Sequence, residues 1–408
     1  MIRRIAKVIG LLIAGLLVLL LLLIVTGMIR YSPEYVARAL LWGDSTVDIY
    51  REHFPARPVA APAEPFLFDE APESTAEVAQ LWESILETPD LDAFMTEMNT
   101  EAFVVIQDDN ILYEGYYNGA ERDTLMTSYS VAKSFTTALI GAAIEDGFIN
   151  SLEDPITDYL PELAERDGRF EEITIRHLML MASGLDYQEM RPDLFRSDDI
   201  LTSYYPDQRE AALEFTEIVD PPGTYFSYNK YHPQLLGLIL ERATGVPVAQ
   251  YLEQKIWQPI GMEYDGSWSM DSEESGFEKM ETGVNATAVD FAKFGRLYLE
   301  NGNWEGEQVL PADWIADSTR VDPASHNASY YPDEFGQEIY HDLNGYYKYM
   351  WYGFFRGEEG YDFMAEGDRG QFIYVSPEKR LIIIRNGLDW GLASSEWVKA
   401  FYEFAGES

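Results

Sequence analysis

The stretch Ser130-Val131-Ala132-Lys133-Ser134-Phe135-Thr136-Thr137-Ala138-Leu139-Ile140-Gly141-Ala142-Ala143-Ile144 decides how this chain is read. Its apolar run from Phe135 to Ile144 predicts a buried helix, and residues three positions apart share one helical face. Lys133 is thereby placed within hydrogen-bond reach of the Ser130 hydroxyl, the arrangement of a serine activated by a lysine. A serine hydroxyl is a weak nucleophile at neutral pH without a base beside it. Lysine serves as that base only when desolvation or a neighbouring cation depresses its pKa.

The Ser-x-x-Lys spacing is not specific by itself. With 23 serines and 9 lysines in 408 residues, about half a match is expected by chance, yet there are three. Ser376-Pro377-Glu378-Lys379 separates two apolar runs, Phe372 to Val375 and Leu381 to Ile384, and reads as a hairpin turn. Ser227-Tyr228-Asn229-Lys230 follows Pro221-Pro222-Gly223 and leads to the apolar run Leu235 to Ala243, a loop entering a buried helix. A tyrosine near cations can supply a phenolate, but alone Tyr228 is one of 27 tyrosines packing a ring.

The five histidines, His53, His177, His232, His326 and His341, adjoin no Gly-x-Ser-x-Gly elbow, and that pattern does not occur. No His-Glu-x-x-His is present, so neither a metal site nor a cofactor is expected, and each histidine reads as a surface or hydrogen-bonded structural residue. The absence of cysteine excludes disulfides, thiolate metal sites, a cysteine nucleophile and a lipoprotein anchor.

Outward from the motif, Phe103 to Ile106 and Ile111 to Tyr117 flank Asp108-Asp109-Asn110, a hairpin signal, and a second hairpin spans Phe372 to Ile384. Between them the pattern is mostly helical. The expected fold is α/β (α+β): an antiparallel sheet formed by both ends of the domain, flanked by helices, with an inserted helical subdomain.

The N-terminus carries Arg3, Arg4 and Lys7, followed by 22 uncharged residues from Val8 to Ile29. At 1.5 Å per residue this run spans about 30 Å, one hydrocarbon thickness. It exceeds the core of a cleaved signal peptide, and Gly27-Met28-Ile29-Arg30-Tyr31 is a poor cleavage site, so an uncleaved signal anchor is expected. The basic residues place the N-terminus in the cytoplasm and the rest outside. The Arg-Arg pair precedes a run too apolar to favour twin-arginine export.

Three regions follow: residues 1–30 as the basic end and anchor, 31–73 as a juxtamembrane helix and proline-rich tether or strap, and 74–408 as the globular domain. Ser32-Pro33 signals the start of the short helix, and five prolines (55, 58, 62, 65, 72) mark the extended part. The first 30 residues hold four basic groups and no acid, leaving 25 basic against 70 acidic groups in residues 31–408. Such a surface repels nucleic acid and anionic headgroups.

Taken together, four segments resemble the serine β-lactamase and penicillin-binding-protein superfamily, especially its class C-like and esterase branch. They are Ser130-Val131-Ala132-Lys133; Leu178 to Leu185, ending Ala182-Ser183-Gly184-Leu185; Pro222-Gly223-Thr224-Tyr225-Phe226-Ser227-Tyr228 leading to Leu235-Leu236-Gly237; and Gly367-Asp368-Arg369-Gly370-Gln371. They fall in the family's order and spacing across about residues 90–405. The resemblance implies that Ser130 is acylated, that Lys133 shares in proton transfer, and that Tyr228 activates Ser130 or protonates the leaving group. It also implies an oxyanion hole from the backbone N–H groups of Ser130 and Gln371.

Two departures bear on substrate. The family's Tyr-x-Asn reads Tyr228-Asn229-Lys230 here, so Lys230 replaces an amide and is expected to lower the proton affinity of both Tyr228 and Lys133. The family's Lys-Thr-Gly reads Asp368-Arg369-Gly370, and if Asp368 faces the cleft, strand alternation turns Arg369 away. A substrate carboxylate would then meet an anion. This favours a neutral or cationic small-molecule ester or linear amide, as for the esterases and aminohexanoate-dimer hydrolases. A β-lactamase or D-Ala-D-Ala carboxypeptidase is the alternative within enzymes, and a non-catalytic penicillin-binding-like envelope protein the alternative outside them. Asp186 and Glu189 follow Ser183-Gly184-Leu185 closely enough to line a pocket, although solvated loop acids are the plainer account.

Overall fold

A computed structural model describes residues 2–42, 49–189, 195–321, 343, 345–357 and 360–407. His326, His341 and the side chain of Arg3 lie outside the described residues.

Thr100–Gln107 is buried along almost its whole length, as its unbroken apolar run Phe103-Val104-Val105-Ile106 demands of a strand covered on both faces. It turns through Asp108 and Asp109, both at positive φ, into Asn110–Tyr116. On its other side it pairs antiparallel with Leu381–Gly387, so the two ends of the globular part close one sheet. The eight strands run in the order Gly345–Lys348, Trp351–Arg356, Gly360–Gly367, Gln371–Ser376, Leu381–Gly387, Thr100–Gln107, Asn110–Tyr116, Asp69–Glu70. Every pairing is antiparallel except the last. A second sheet joins Ala56–Val59, Gly266–Ser269, Val284–Ala286 and Met126–Thr127.

Helices cover the large sheet on both faces. On one, Trp82 of Thr75–Ile85 stacks on Phe404 of the C-terminal helix Ser394–Glu407 at 4.4 Å between ring centroids and meets Phe103 edge-on. On the other, Ala288–Leu299 approaches so closely at Gly295 that a Cβ there would lie 3.0 Å from Ile373 and 3.2 Å from Ile382. The helix Ala132–Glu145 packs behind it, with Phe135 stacked on Phe294 at 3.7 Å. Ser134 and Thr137 of that helix donate to the carbonyls of Met350 and Tyr349, at 2.7 and 2.9 Å. Those bonds hold a two-residue turn whose residues both have positive φ without being glycine.

Residues 2–30 form a helix long and apolar enough to cross a membrane. Its last turns touch the body: a Cβ on Gly27 would lie 2.5 Å from the Phe195 ring. Ser32 caps the next helix, Pro33–Leu41, by accepting from Tyr35 N at 3.0 Å. Tyr35 and Val36 are wholly buried there, and the Tyr35 hydroxyl donates to Phe195 O at 2.8 Å. Arg38 donates to Asp271 O at 2.6 Å. The proline-rich segment also lies on the body, with Ala56–Val59 paired to Gly266–Ser269. The helix Pro33–Leu41 and the proline-rich segment are therefore part of the packed structure. Tyr35→Ala is expected to cost about 3 kcal/mol, the loss typical of a fully buried aromatic. Denaturant unfolding of the full chain in detergent checks this, and an unchanged midpoint would mean that the helix is not part of the cooperative unit.

Candidate active site

Ser130 lies in a short 3₁₀ turn, Tyr129–Val131, that runs directly into the helix Ala132–Glu145. Tyr129 adopts φ of 44°, a left-handed conformation unusual for an aromatic residue. It is held there by its buried ring and by Ser128, whose N–H donates to Val284 O at 2.8 Å and whose hydroxyl donates to Tyr129 O at 3.1 Å. The end of the strand Gly360–Gly367 presses on this turn. A Cβ on Gly367 would stand 2.4 Å from Ser128 O and 3.0 Å from Ser130 N, so only glycine fits.

Two side chains converge on the Ser130 oxygen. Lys133 Nζ is 2.6 Å from Ser130 Oγ, and the Tyr228 hydroxyl is 2.9 Å from it on the other side. Lys133 is only 1% exposed and also donates to Glu281 O at 2.8 Å. Its ammonium lies 5.1 Å from the centre of the Tyr228 ring. Burial holds the Lys133 pKa well below the usual lysine range, and the nearby Lys230 cation lowers it further against the opposing charges of Glu281, Asp199 and Asp368. A neutral amine so placed keeps an N–H for the Glu281 carbonyl and offers its lone pair to the serine proton.

Tyr228 moves the other way. Burial pushes its pKa above the usual phenol range, with Glu366, Asp368 and Asp199 adding to the rise and the Ser130 contact opposing it. The Lys230 cation thus presses on Lys133 in the expected direction, while the net shift of Tyr228 is upward because burial dominates it. Lys230 itself stands in an ion pair with Asp199. Burial disfavours the Lys230 charge, but Asp199 outweighs it and leaves that pKa raised.

Asn229 is wholly buried, donates to Leu185 O at 3.3 Å and accepts from Tyr231 N at 2.9 Å. Its amide thus fixes the loop that carries Tyr228 and Lys230. Asp368, Arg369 and Gly370 form the turn after Gly367, with positive φ at Arg369 and Gly370, so strand alternation does not govern them. Asp368 is exposed, and its Oδ1 accepts from Arg369 N at 2.7 Å and from the Trp390 indole at 2.9 Å. Arg369 stands by the Tyr129 phenol. A Cβ on Gly370 would run into the Arg385 guanidinium. Gln371 faces Gly367 across the strand pair, and its side chain bonds to Gly387 O at 2.6 Å and to Asn386 at 3.1 Å.

Asp199, Glu281, Glu366 and the fit of Gly367 escaped the sequence reading of the site. Ser197-Asp198-Asp199 is a legible helix start, with Ser197 accepting from Ile200 N, but nothing local says that the second acid faces Lys230. Asp186 bonds to the Gln188 amide and Glu189 is exposed. His232 is buried, kept neutral by burial with a pKa of about 3, and lies 2.5 Å from Ser183 Oγ, away from the triad. His177 completes the capping box of Ile175–Met179. Among the described residues no group of three His, Asp or Glu side chains is arranged to hold a metal ion.

Several known proteins are similar to this chain. The chain is 28% identical over 241 residues to a 6-aminohexanoate-dimer hydrolase of Paenarthrobacter ureafaciens, covering 56% of this chain and 59% of that one. It is 30% identical over 187 residues to esterase EstB of Burkholderia gladioli, covering 42% and 47% respectively. These matches span about half the length of the relatives or somewhat more. Among solved structures, a Bacillus anthracis chain assigned as a 6-aminohexanoate-dimer hydrolase superposes with a TM-score of 0.71 at 24% identity, over 88% of this chain and 92% of that one. A D-alanine carboxypeptidase AmpC from Burkholderia cenocepacia does so with a TM-score of 0.56 at 18% identity, over 82% and 99%. The family model described as Beta-lactamase matches residues 91–386, a span that contains Ser130, Lys133 and Tyr228. By that match the chain belongs to the beta-lactamase and penicillin-binding-protein family of serine hydrolases.

Proposed function

We propose that this protein is a membrane-anchored, extracytoplasmic serine hydrolase that cleaves neutral or cationic esters or linear amides through an acyl-Ser130 intermediate. The observation that carries the reading is the meeting of Lys133 and Tyr228 on the Ser130 oxygen. Their pKa values are driven apart by the same burial, down for the amine and up for the phenol, which sorts them into base and acid. Lys133 takes the Ser130 proton as Oγ attacks the carbonyl carbon. The oxyanion is received by Ser130 N–H and a second backbone N–H of the Gly367–Gln371 turn, for which Gln371 is the candidate. Such donors each contribute about 3–4 kcal/mol to the transition state. Tyr228, protonated throughout the neutral range, hands a proton to the leaving group, and water then releases the acyl group by the reverse proton path.

The charge around the cleft supports the substrate class. Asp368, Asp199, Glu281 and Glu366 all act on Lys133 or Tyr228, and the Lys230 cation among them is neutralised by Asp199. A carboxylate on the substrate would be repelled there, whereas an ester, amide or ammonium would not. The relatives' names, a 6-aminohexanoate-dimer hydrolase and an esterase, agree with a linear amide or an ester as the bond cleaved. The apolar N-terminal helix supports the anchor, and its basic first residues support an outward-facing domain.

Ser130→Ala is expected to lower kcat/KM at least about a thousand-fold and to abolish fluorophosphonate labelling, which Ser227→Ala and Ser376→Ala retain. Persistent labelling of Ser130→Ala would remove the nucleophile assignment. The full chain is expected to turn over p-nitrophenyl esters with a higher kcat/KM than nitrocefin, and the reverse order would favour the lactamase reading. Because Lys133 acts neutral, kcat/KM rises with pH through its depressed pKa. Lys230→Ala removes a repelling cation, so the acidic limb should move to higher pH, and an unmoved limb would sever Lys230 from the site. Burial pushes the Glu366 carboxyl up to about 7, so the stability it contributes is full below the ordinary carboxyl range and is lost as pH rises through about 7. Glu366→Gln should therefore raise Tm at pH 8 and change it little at pH 4, which paired thermal melts would read directly.

A further inference from the structure

Behind Lys133, on the side away from Ser130, stands an ion pair that the proposed reaction does not use. Lys279 and Glu281 are both fully buried, and Lys279 Nζ lies 2.8 Å from Glu281 Oε1. Burying two charges is costly and is weak evidence for stability, so such a pair is more readily explained by what it holds in place. Glu281 holds two things near the site: its backbone carbonyl accepts from Lys133 Nζ at 2.8 Å, and its carboxylate charge acts on the same amine.

The loop between them is braced from below. The Trp268 indole donates to Lys279 O at 3.0 Å and to Thr282 O at 3.2 Å, and Thr282 N returns to Lys279 O at 3.1 Å. Lys279 reaches further, donating to Ser203 O at 2.8 Å near the end of the helix Asp198–Tyr204. The other end of that helix carries Asp199, the partner of Lys230. One lysine thus ties the loop that presents the Glu281 carbonyl to the helix that holds the site's second cation in place.

We propose that the buried Lys279–Glu281 pair is a positioning device for Lys133: it holds the Glu281 carbonyl against the amine and sets behind it a carboxylate that opposes loss of the lysine's proton. The inference rests on Lys133 serving as the base for Ser130. The charged and polar groups around the amine are Lys230 and Asp199 from the Tyr228 side, Asp368 from the turn after Gly367, Glu281 from behind, and the Ser130 and Tyr228 hydroxyls. Lys230 and burial press the proton off, while the three carboxylates hold it on. Of those carboxylates only Glu281 is both fully buried and on the residue whose carbonyl the amine touches. Its removal should therefore move the amine in the direction opposite to removal of Lys230.

The test is a titration of Lys133 in the full chain in detergent, with ¹³C-labelled lysine and the Lys133 signal assigned by its loss in Lys133→Met. In Glu281→Gln the midpoint should fall by about one pH unit, the lower end of what a nearby charge produces. Because that variant strands the Lys279 cation, the double variant Lys279→Met/Glu281→Met provides an apolar pair of similar volume and should shift the midpoint in the same direction. The acidic limb of kcat/KM on a p-nitrophenyl ester should follow, moving to lower pH. An unmoved midpoint in either folded variant overturns the proposal, since a pair that only stabilised the fold would lower Tm and leave Lys133 where it was. A midpoint that moves while the kinetic limb stays leaves the positioning role intact and removes Lys133 as the base. The NMR midpoint is read whether or not the ester is turned over.

Discussion

The fold depends at its centre on burying a lysine amine. Lys133 sits in the first turn of a helix whose next residues are core, so its side chain cannot escape to solvent and must be satisfied inside. Two oxygens accept it, one from Ser130 and one from the Glu281 backbone. Water would otherwise hold the charge, and its exclusion makes the ammonium surrender its proton far more readily than a surface lysine does. Much around it reads as the means of keeping that place dry and shaped. Gly367 brings the sheet against the nucleophile turn, Tyr129 accepts a strained backbone to expose the hydroxyl, and the Ser134 and Thr137 hydroxyls pin the helix to the sheet's edge hairpin.

What the sequence made legible follows from how local each signal was. Ser130 and Lys133 are three residues apart on one helix, so helical geometry alone brings them together. The two hairpins and the closing of the sheet by its two ends could be read from alternating apolar runs and turn residues, because strand and turn preferences are short-range. Tyr228 lies 98 residues from Ser130 and carries no local mark. It was found only through a resemblance spread over several segments. Asp199 and Glu281 were missed because their roles arise from facing charges 31 and 148 residues away along the chain. The last motif was misjudged for a different reason. Alternation was applied to Asp368 and Arg369, but the strand ends at Gly367 and the next residues turn, so their directions are set by positive φ rather than by the pleat.

The site's electrostatics join two loops and a helix start that the chain keeps far apart in order. The loop before Tyr231 brings a phenol and an ammonium together, the helix starting at Asp198 neutralises that ammonium, and the loop around Glu281 supports the amine from behind. Lys230 illustrates the economy of the arrangement. Its charge reaches Lys133 but leaves the phenol protonated, because Asp199 and the burial of Tyr228 act against it there. The cation therefore sits beside the amine without making the cleft cationic.

The docking of Tyr35, Val36 and Gly27 onto the residues around Phe195 has a mechanical consequence. A stalk seated in this way is a bracket and not a leash. On the proposed anchoring, with the apolar length of residues 2–30 in a bilayer, the body would not swing or rise on a flexible cord, and the helix Asp198–Tyr204, which carries the Asp199 partner of Lys230, would keep a fixed height above the headgroups. An enzyme so held would work within a thin layer of space beside the membrane, on whatever diffuses or is displayed there.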